Sequence, residues 1–256
     1  MTELAWVLDI DGVIWRGGQT IEGSPEAVAA MRARGEPVVF VTNSALRTRD
    51  QAAENLARHG IPDAEESVFT AAMAAARLVE PGEKVLACGA EGVVDELTRR
   101  GVDLVEEGPA DAVVVGIRFD FDYSMLTAAM RAVRAGARLI ATNDDDTFPD
   151  HDGLLPGNGA LVAAVERASG VRAEVAGKPY RPMAELVLDH LGHDRRGIVV
   201  GDRPETDGRF AETLGYSFAL VLTGVTGPED LPVDPTPTST DEDLLSTVET
   251  WSSHHG

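Results

Sequence analysis

Short apolar runs, each ending in small or acidic residues and each followed by a stretch with helical spacing, set the rhythm of this chain. The first, Leu4 to Leu8, has no polar interruption and predicts a strand buried on both faces, as inside a parallel sheet. Val38-Val39-Phe40-Val41 predicts a second such strand and Ile198-Val199-Val200 another. Between the first two, Ser24-Pro25-Glu26 opens a helix that runs to about Arg34, with Ser24 as N-cap and Pro25 at the first helical position. Gly35 stops it. Thr48-Arg49-Asp50-Gln51 has capping-box spacing and predicts a helix over 49–59. This β-α-β-α opening implies an α/β fold built on a doubly wound parallel sheet.

From about residue 70 the alternation continues. The pattern predicts strands near 84–87, 102–105, 112–117 and 138–141, with helices near 91–100 and 123–134. The stretch from Thr142 to Gly157 is rich in Asp, Gly and Pro and reads as a loop, followed by a helix over 159–168 and a strand over 171–175. This middle block is large enough to be an α/β domain of its own. After Gly177-Lys178 come a helix over 182–191, the strand at 198–200, a loop from Gly201 to Asp207, a helix over 207–214 and a strand over 218–222. A Pro-rich tail from Pro228 to Pro237 leads to a short helix near 241–249, and no internal repeat is evident.

At 256 residues and 43% hydrophobic, the chain can bury one large core or two modest ones. No apolar stretch approaches the ~20 residues needed to cross a bilayer, and no basic-then-apolar leader opens the sequence. Cys88 is the only cysteine, which excludes an internal disulfide and a thiolate metal cluster. A cytoplasmic protein is the expectation. The net charge of −21 argues against nucleic acid and anionic membranes as partners. After Arg209 there is no Lys or Arg at all, and of 22 basic residues only Lys84 and Lys178 are lysines. Where Arg is used almost everywhere, a retained Lys draws attention to a place that needs a compact ammonium.

Chemistry gathers at the ends of the apolar runs. Asp9 and Asp11 stand in i, i+2 register where the first strand gives out, so both project the same way, and Gly12 lets the backbone turn sharply after them. In open parallel sheets ligands sit beyond the carboxyl ends of the strands. Two acids there repel unless a cation or a shared proton intervenes. The second strand ends at Thr42-Asn43-Ser44, the third at Asp202 with Glu205 and Asp207, and Lys178 precedes the helix leading into the third. Each group suits phosphoryl transfer. A carboxylate can attack phosphorus to give an aspartyl-phosphate. It must first overcome repulsion from a phosphate dianion, ~4 kcal/mol per charge pair at 4 Å and an effective dielectric near 20. Magnesium cancels much of this, and Asp9 with Asp202 could hold it; the Thr42 hydroxyl and Lys178 ammonium can steady the equatorial oxygens, and an acid two residues from the nucleophile can move the proton.

D-I-D-G-V-I-W, V-F-V-T-N-S, G-K-P and V-V-G-D-R-P-E-T-D, in that order, resemble the four motifs of the haloacid dehalogenase-like superfamily of aspartyl phosphatases. The long insert between the second and third motifs is similar to the branch with an α/β cap (subfamily IIA), which includes nitrophenylphosphatase-like, phosphoglycolate, glycerol-phosphate, sugar and nucleotide phosphatases. The resemblance runs from about Leu4 to Thr226, and T-N-D-D-D with P-G-N-G-A-L resembles that branch's cap. It implies a Rossmann-like core over 1–72 and 178–256 and an inserted cap over 73–177. It makes Asp9 the nucleophile and Asp11 the acid/base, which also gives its backbone carbonyl to magnesium. It has Thr42 and the Asn43 amide bind the phosphoryl group, Lys178 neutralise phosphate and nucleophile, Asp202 complete the metal site with Asp207 behind it, and Asp145 in the cap meet the substrate. One departure is Gly208, where such proteins more often carry an apolar residue at the helix start, and its expected effect is a looser helix.

Competing patterns are weaker. Gly157-Asn158-Gly159 follows a loop and lacks the third glycine of a dinucleotide fingerprint, and Gly177-Lys178 precedes Pro, not the Ser or Thr of a P-loop. His190 and His193 read as surface residues at a helix end, and Asp144 to Asp146 as an acidic turn whose following residues do not fit a calcium loop. A phosphoacceptor switch would use similar strand-end groups but is about half this length. A phosphotransferase or phosphomutase would share the aspartyl-phosphate. The substrate expectation is a small phosphorylated metabolite, with p-nitrophenyl phosphate as an artificial substrate. The loop Thr142 to Gly153 holds Asp144, Asp145, Asp146, Asp150 and Asp152 without a Lys or Arg, so polyphosphates should be disfavoured against small monophosphates. A homodimer through the cap is the expected assembly.

Overall fold

The computed structural model describes residues 4–150 and 153–255, so Asp152 and the side chain of Asp150 lie outside the described residues. The chain divides into two compact units, one of residues 1–42, 50–69 and 178–256, the other of 43–49 and 70–177.

The first unit holds a six-stranded sheet in the order Ser239–Asp241, Ser217–Val221, Gly197–Gly201, Ala5–Asp9, Val38–Thr42, Val68–Thr70. Ala5–Asp9 lies at its middle and pairs in parallel with Gly197–Gly201 and Val38–Thr42, with Leu8 level with Val200 and Asp9 with Val41. All five of its residues are buried, the burial that the unbroken apolar run predicts. Alternate residues Trp6 and Leu8 enter a core with Val28, Met31, Phe40 and Leu56. Cutting one such leucine to alanine costs roughly 2–5 kcal/mol. The parallel register brings Asp9, Thr42 and the Gly201-Asp202 junction to one edge, the carboxyl ends of adjacent strands.

The second unit carries a five-stranded parallel sheet in the order Glu174–Val175, Arg138–Ala141, Ala112–Val115, Lys84–Cys88, Asp103–Val105. Helices Tyr123–Arg134 and Asn158–Ser169 bury Ala129, Val133, Val162 and Val165 against it.

Local differences from the expected elements have local causes. Ser24 does not cap its helix. Gly23, at φ 84°, holds the cap position, and the buried Ser24 hydroxyl donates to the Val13 carbonyl at 2.8 Å. The helix expected over 207–214 begins as a π-helical turn, Pro204–Gly208, and continues as Arg209–Leu214. Gly208 is required by close approach: a Cβ there would stand 2.7 Å from Pro235 Cγ and 3.0 Å from the Phe218 ring. The strand expected over 171–175 shrinks to Glu174–Val175 at a sheet edge. The closing helix runs further than expected, Leu244–His255, with the Asp243 carboxylate accepting from the Ser246 amide at 2.8 Å as its cap. Within the stretch read as a loop, Thr147–Asp150 and Gly153–Pro156 form a two-stranded hairpin, and Trp15–Arg16 pairs with Gln19–Thr20 in another. Strands this short carry too few positions for a period-two signal.

Candidate active site

Asp9 is the last residue of the central strand and is 9% exposed. Lys178, 3% exposed, donates from Nζ to Asp9 Oδ1 at 2.6 Å and to Asp207 Oδ1 at 2.7 Å. The other Asp207 oxygen accepts the Arg203 amide at 3.1 Å, so both oxygens of Asp207 are engaged and it orients the lysine. Asp202 follows the neighbouring strand and is 1% exposed. Its Oδ2 accepts the Val225 amide at 2.5 Å and its backbone carbonyl accepts the Thr226 hydroxyl at 2.6 Å. Asp202 Oδ1 is buried without a hydrogen-bond partner among the described residues. Gly12, at φ 89°, and Gly224 crowd this carboxylate so closely that a Cβ on either would clash with it. The sharp turn expected of Gly12 is present, and the same glycine also makes room for Asp202.

Asp9, Asp202 and Asp207 present carboxylate oxygens within 4.8 Å of one another. Against these acids stands the Lys178 ammonium, and the imbalance appears in their proton affinities. Burial, opposed by Lys178 and reinforced by Asp207, Asp202 and Asp11, holds the Asp9 carboxyl well above its ordinary range. Burial and then the Asp207 charge push Asp202 up to about 6, against the Val225 amide, Arg203 and Lys178. Burial alone would lower Lys178, but Asp207 and Asp9 outweigh it and raise its affinity for the proton. Lys178 therefore stays an ammonium, while the carboxylates share more negative charge than it offsets. An all-oxygen donor set, an orphaned buried carboxylate oxygen and surplus negative charge fit a hard divalent cation of the magnesium or calcium kind.

The remaining sequence-selected residues fall as follows. Asp11 is exposed, and its charge raises the Asp9 pKa, so the two acids feel each other as their spacing predicts. Thr42 ends the adjacent strand and is 6% exposed. Asn43 belongs to the second unit, where its amide donates to both Asp145 oxygens at 3.2 Å and its carbonyl accepts from Asn143 at 2.7 Å. His190 packs edge-on against Phe69, and His193 lies 3.0 Å from Asp189, in keeping with surface histidines. Gly157 and Gly159 give their amides to the Asp146 and Asp145 carbonyls, so that glycine pair seats the acidic turn on a helix start. Sequence reasoning missed Thr223-Gly224-Val225-Thr226, which holds Asp202 in place. Its signal was available: a buried strand, Ser217–Val221, followed by hydroxyls and glycines, the same kind of strand end as the others.

Comparison with known proteins falls on these same elements. The profile described as haloacid dehalogenase-like hydrolase matches residues 6–103, and one described as HAD-hydrolase-like matches 175–246. A 5′-nucleotidase of Bacillus subtilis is 37% identical over 237 residues, covering 91% of this chain and 92% of that protein. The D-glycerol 3-phosphate phosphatase of Mycobacterium tuberculosis is 39% identical over 231 residues, 88% of this chain but 64% of that longer protein. Its structure in complex with magnesium superposes with a TM-score of 0.88 at 36% identity, covering 96% of this chain and 76% of that one. The p-nitrophenyl phosphatase from Archaeoglobus fulgidus superposes with a TM-score of 0.91 at 32% identity, covering 98% of this chain and all (100%) of that one. A Rossmann-like parallel core with an α/β cap, carrying clustered acids and a buried lysine at strand ends, defines a phosphoric monoester hydrolase. The chain belongs to the haloacid dehalogenase-like hydrolases.

Proposed function

We propose that the protein is a magnesium-dependent phosphatase of small phosphate monoesters that works through an aspartyl-phosphate on Asp9. The observation that carries this reading is the Lys178 ammonium clamped between Asp9 and Asp207, 2.6 and 2.7 Å away, beside an Asp202 oxygen with no hydrogen-bond partner among the described residues. Asp9, Asp202 and the Asp11 carbonyl would hold the cation, which when bound lowers the repulsion between carboxylate and phosphate dianion. Asp9 attacks phosphorus, and Asp11 gives a proton to the leaving oxygen and later takes one from water. Lys178 favours the ionised form of Asp9, aims it and meets an equatorial phosphate oxygen, while Thr42 and Asn43 donate to the others. Asp145, whose carboxylate accepts from the Asn43 side-chain amide, would meet the substrate from the second unit.

The relatives named for glycerol phosphate, nitrophenyl phosphate and 5′-nucleotides support a small monophosphate of a polyol or nucleoside, and a sugar or glycolate-type phosphate belongs to the same reading as a small monophosphate ester. The net charge of −21 and the exposed Asp144 and Asp146 support discrimination against polyphosphates. Pairing of two copies through the second unit draws its support from Phe119, Tyr123 and Leu154, exposed there at 73%, 83% and 68%. Light scattering on the wild type and Tyr123→Glu checks it, since a monomeric wild type would end that part of the reading. A cytoplasmic setting goes with Cys88 kept as a buried free thiol.

The test of the reaction is release of phosphate from p-nitrophenyl phosphate and glycerol 3-phosphate with magnesium and with a chelator. The expected result is turnover that stops in chelator and returns with magnesium, and a phosphorylated Asp9 in rapidly quenched enzyme. Undiminished turnover in chelator, or phosphate found on another residue, would overturn it.

A further inference from the structure

Asp11 lies two residues beyond the central strand and is exposed, so the sheet ladder does not set the direction of its carboxylate. The chain turns at Gly12 and comes back through Trp15. The Gly12 amide donates to the Trp15 carbonyl at 2.7 Å, and the Trp15 indole Nε1 donates to Asp11 Oδ1 at 2.8 Å. The indole is itself held. The His59 ring lies against it with centroids 4.6 Å apart at 31°, and His59 Nδ1 is 2.7 Å from the Thr20 hydroxyl on the partner strand of the hairpin. Burial lowers the His59 pKa, so the ring packs as a neutral group near pH 7. One edge of the indole also rests on the core of this unit.

We propose that Trp15 is a positioning residue for Asp11 that determines which carboxyl oxygen carries the catalytic proton. The inference rests on the phosphatase reading above, in which Asp11 is the acid/base. An indole N–H donates and accepts nothing. With Oδ1 engaged as its acceptor, the exchangeable proton resides on Oδ2. In the first step the Oδ2 proton passes to the bridging ester oxygen as that oxygen's bond to phosphorus breaks and the Asp9 oxygen–phosphorus bond forms, so the alcohol leaves neutral. In the second step Oδ2 takes a proton from the water whose oxygen attacks phosphorus, and Asp9 departs as a carboxylate with inorganic phosphate as product. His59 and Thr20 act behind Trp15 by fixing the plane of the ring.

A residue that only packs would affect all substrates alike, whereas one that aims an acid matters most where the leaving group needs a proton. Nitrophenolate leaves without one, and the alkoxide of glycerol 3-phosphate does not. The ratio of kcat/KM for glycerol 3-phosphate to that for p-nitrophenyl phosphate reports this difference, since kcat/KM covers only the steps up to the aspartyl-phosphate. Trp15→Phe keeps an aromatic ring against His59 and removes the N–H. The expected result is a fall of at least tenfold in that ratio, shrinking to less than twofold when the same substitution is made on Asp11→Asn. An unchanged ratio, or a fall that persists on Asp11→Asn, overturns the proposal. Should Trp15→Phe not fold, His59→Ala frees the indole instead and is expected to lower the ratio at least threefold, with an unchanged ratio again overturning it. A wild type inactive on both esters would overturn the phosphatase reading and this inference with it. An active wild type with no change in ratio overturns the Trp15 role alone.

Discussion

Two groups of buried charge, one in each unit, are built on opposite plans. In the second unit Arg49 meets Glu96 through two parallel contacts, Nε to Oε1 at 2.6 Å and Nη2 to Oε2, with the carboxylate 3% and the guanidinium 32% exposed. The guanidinium and the carboxylate meet in a fork-to-fork geometry in which each offsets the other's charge. In the first unit the Lys178 ammonium faces Asp9 and Asp207, with Asp202 close behind. There the charges do not cancel, and the carboxyl pKa values of Asp9 and Asp202 rise in consequence. A balanced buried pair needs nothing further and can be structural. An unbalanced one, with surplus negative charge, is destabilising until a cation arrives, and groups perturbed in this way gather at working sites.

Substitutions can break this contrast. Asp9→Asn replaces the proposed nucleophile with an amide and is expected to lower kcat at least a thousandfold, about 4 kcal/mol of barrier, while the protein stays folded by circular dichroism. Residual turnover within tenfold of wild type would remove Asp9 from the chemistry. Breaking the balanced pair should instead cost stability. Glu96→Ala removes the forked contact from Arg49 and is expected to lower the unfolding free energy by about 2–3 kcal/mol, less than for a fully buried pair because Arg49 reaches solvent. Replacing both partners, Arg49→Met with Glu96→Leu, should recover most of that loss in denaturant melts. No such pairwise replacement of Lys178 and Asp9 should keep activity.

The unbalanced cluster makes a pH prediction of definite sign. Asp202 holds its proton up to about 6 in the folded protein against an ordinary value of 3.8. The folded state therefore binds the proton more tightly than the unfolded state. The stabilisation from that protonated carboxyl is complete below about pH 4 and is lost as pH rises through 6. At about 1.4 kcal/mol per pH unit the loss is at most about 3 kcal/mol in metal-free protein. In chelator, Asp202→Asn should match wild type near pH 4 and exceed it in stability by pH 7, and magnesium should close the gap by stabilising wild type alone. Parallel stability curves for the two proteins would show that the cluster stores no such charge.

Smaller effects sharpen the picture. Lys178→Arg keeps the charge but widens the head group between Asp9 and Asp207, and at least a tenfold loss of kcat/KM is expected, about 1.4 kcal/mol. Wild-type kinetics would reduce Lys178 to a diffuse charge. Cys88 is 2% exposed, and burial, only partly opposed by Arg118, pushes its thiol up to about 12. It should resist alkylation in native protein at pH 8 and react fully once unfolded, with no change in activity beforehand.

Much of the site was legible in the chain itself, because its chemistry sits where local patterns end. An unbroken apolar run predicts a buried strand, parallel strands direct their carboxyl ends to one edge, and Asp9, Thr42 and Asp202 stand at such ends in the sequence. The α/β alternation, the turn at Gly12 and the separate middle block follow from the same short-range signals of period, turn residue and cap. What a period cannot encode is which distant residue a side chain meets. The placing of the Val225 amide on Asp202, the fit of Gly12 and Gly224 around that carboxylate, and the approach of Gly208 to Phe218 depend on the register of strands far apart in sequence. The indole of Trp15 on Asp11 is a near neighbour, yet His59, which steadies it, comes from the turn after the second helix, Arg49–Arg58. Asn43 likewise met an Asp145 that lies 102 positions away. Strand propensity and hydrophobic spacing decide that these elements form. Their packing, through close contacts that tolerate only a glycine or only one donor, decides how the polar groups at their ends face one another.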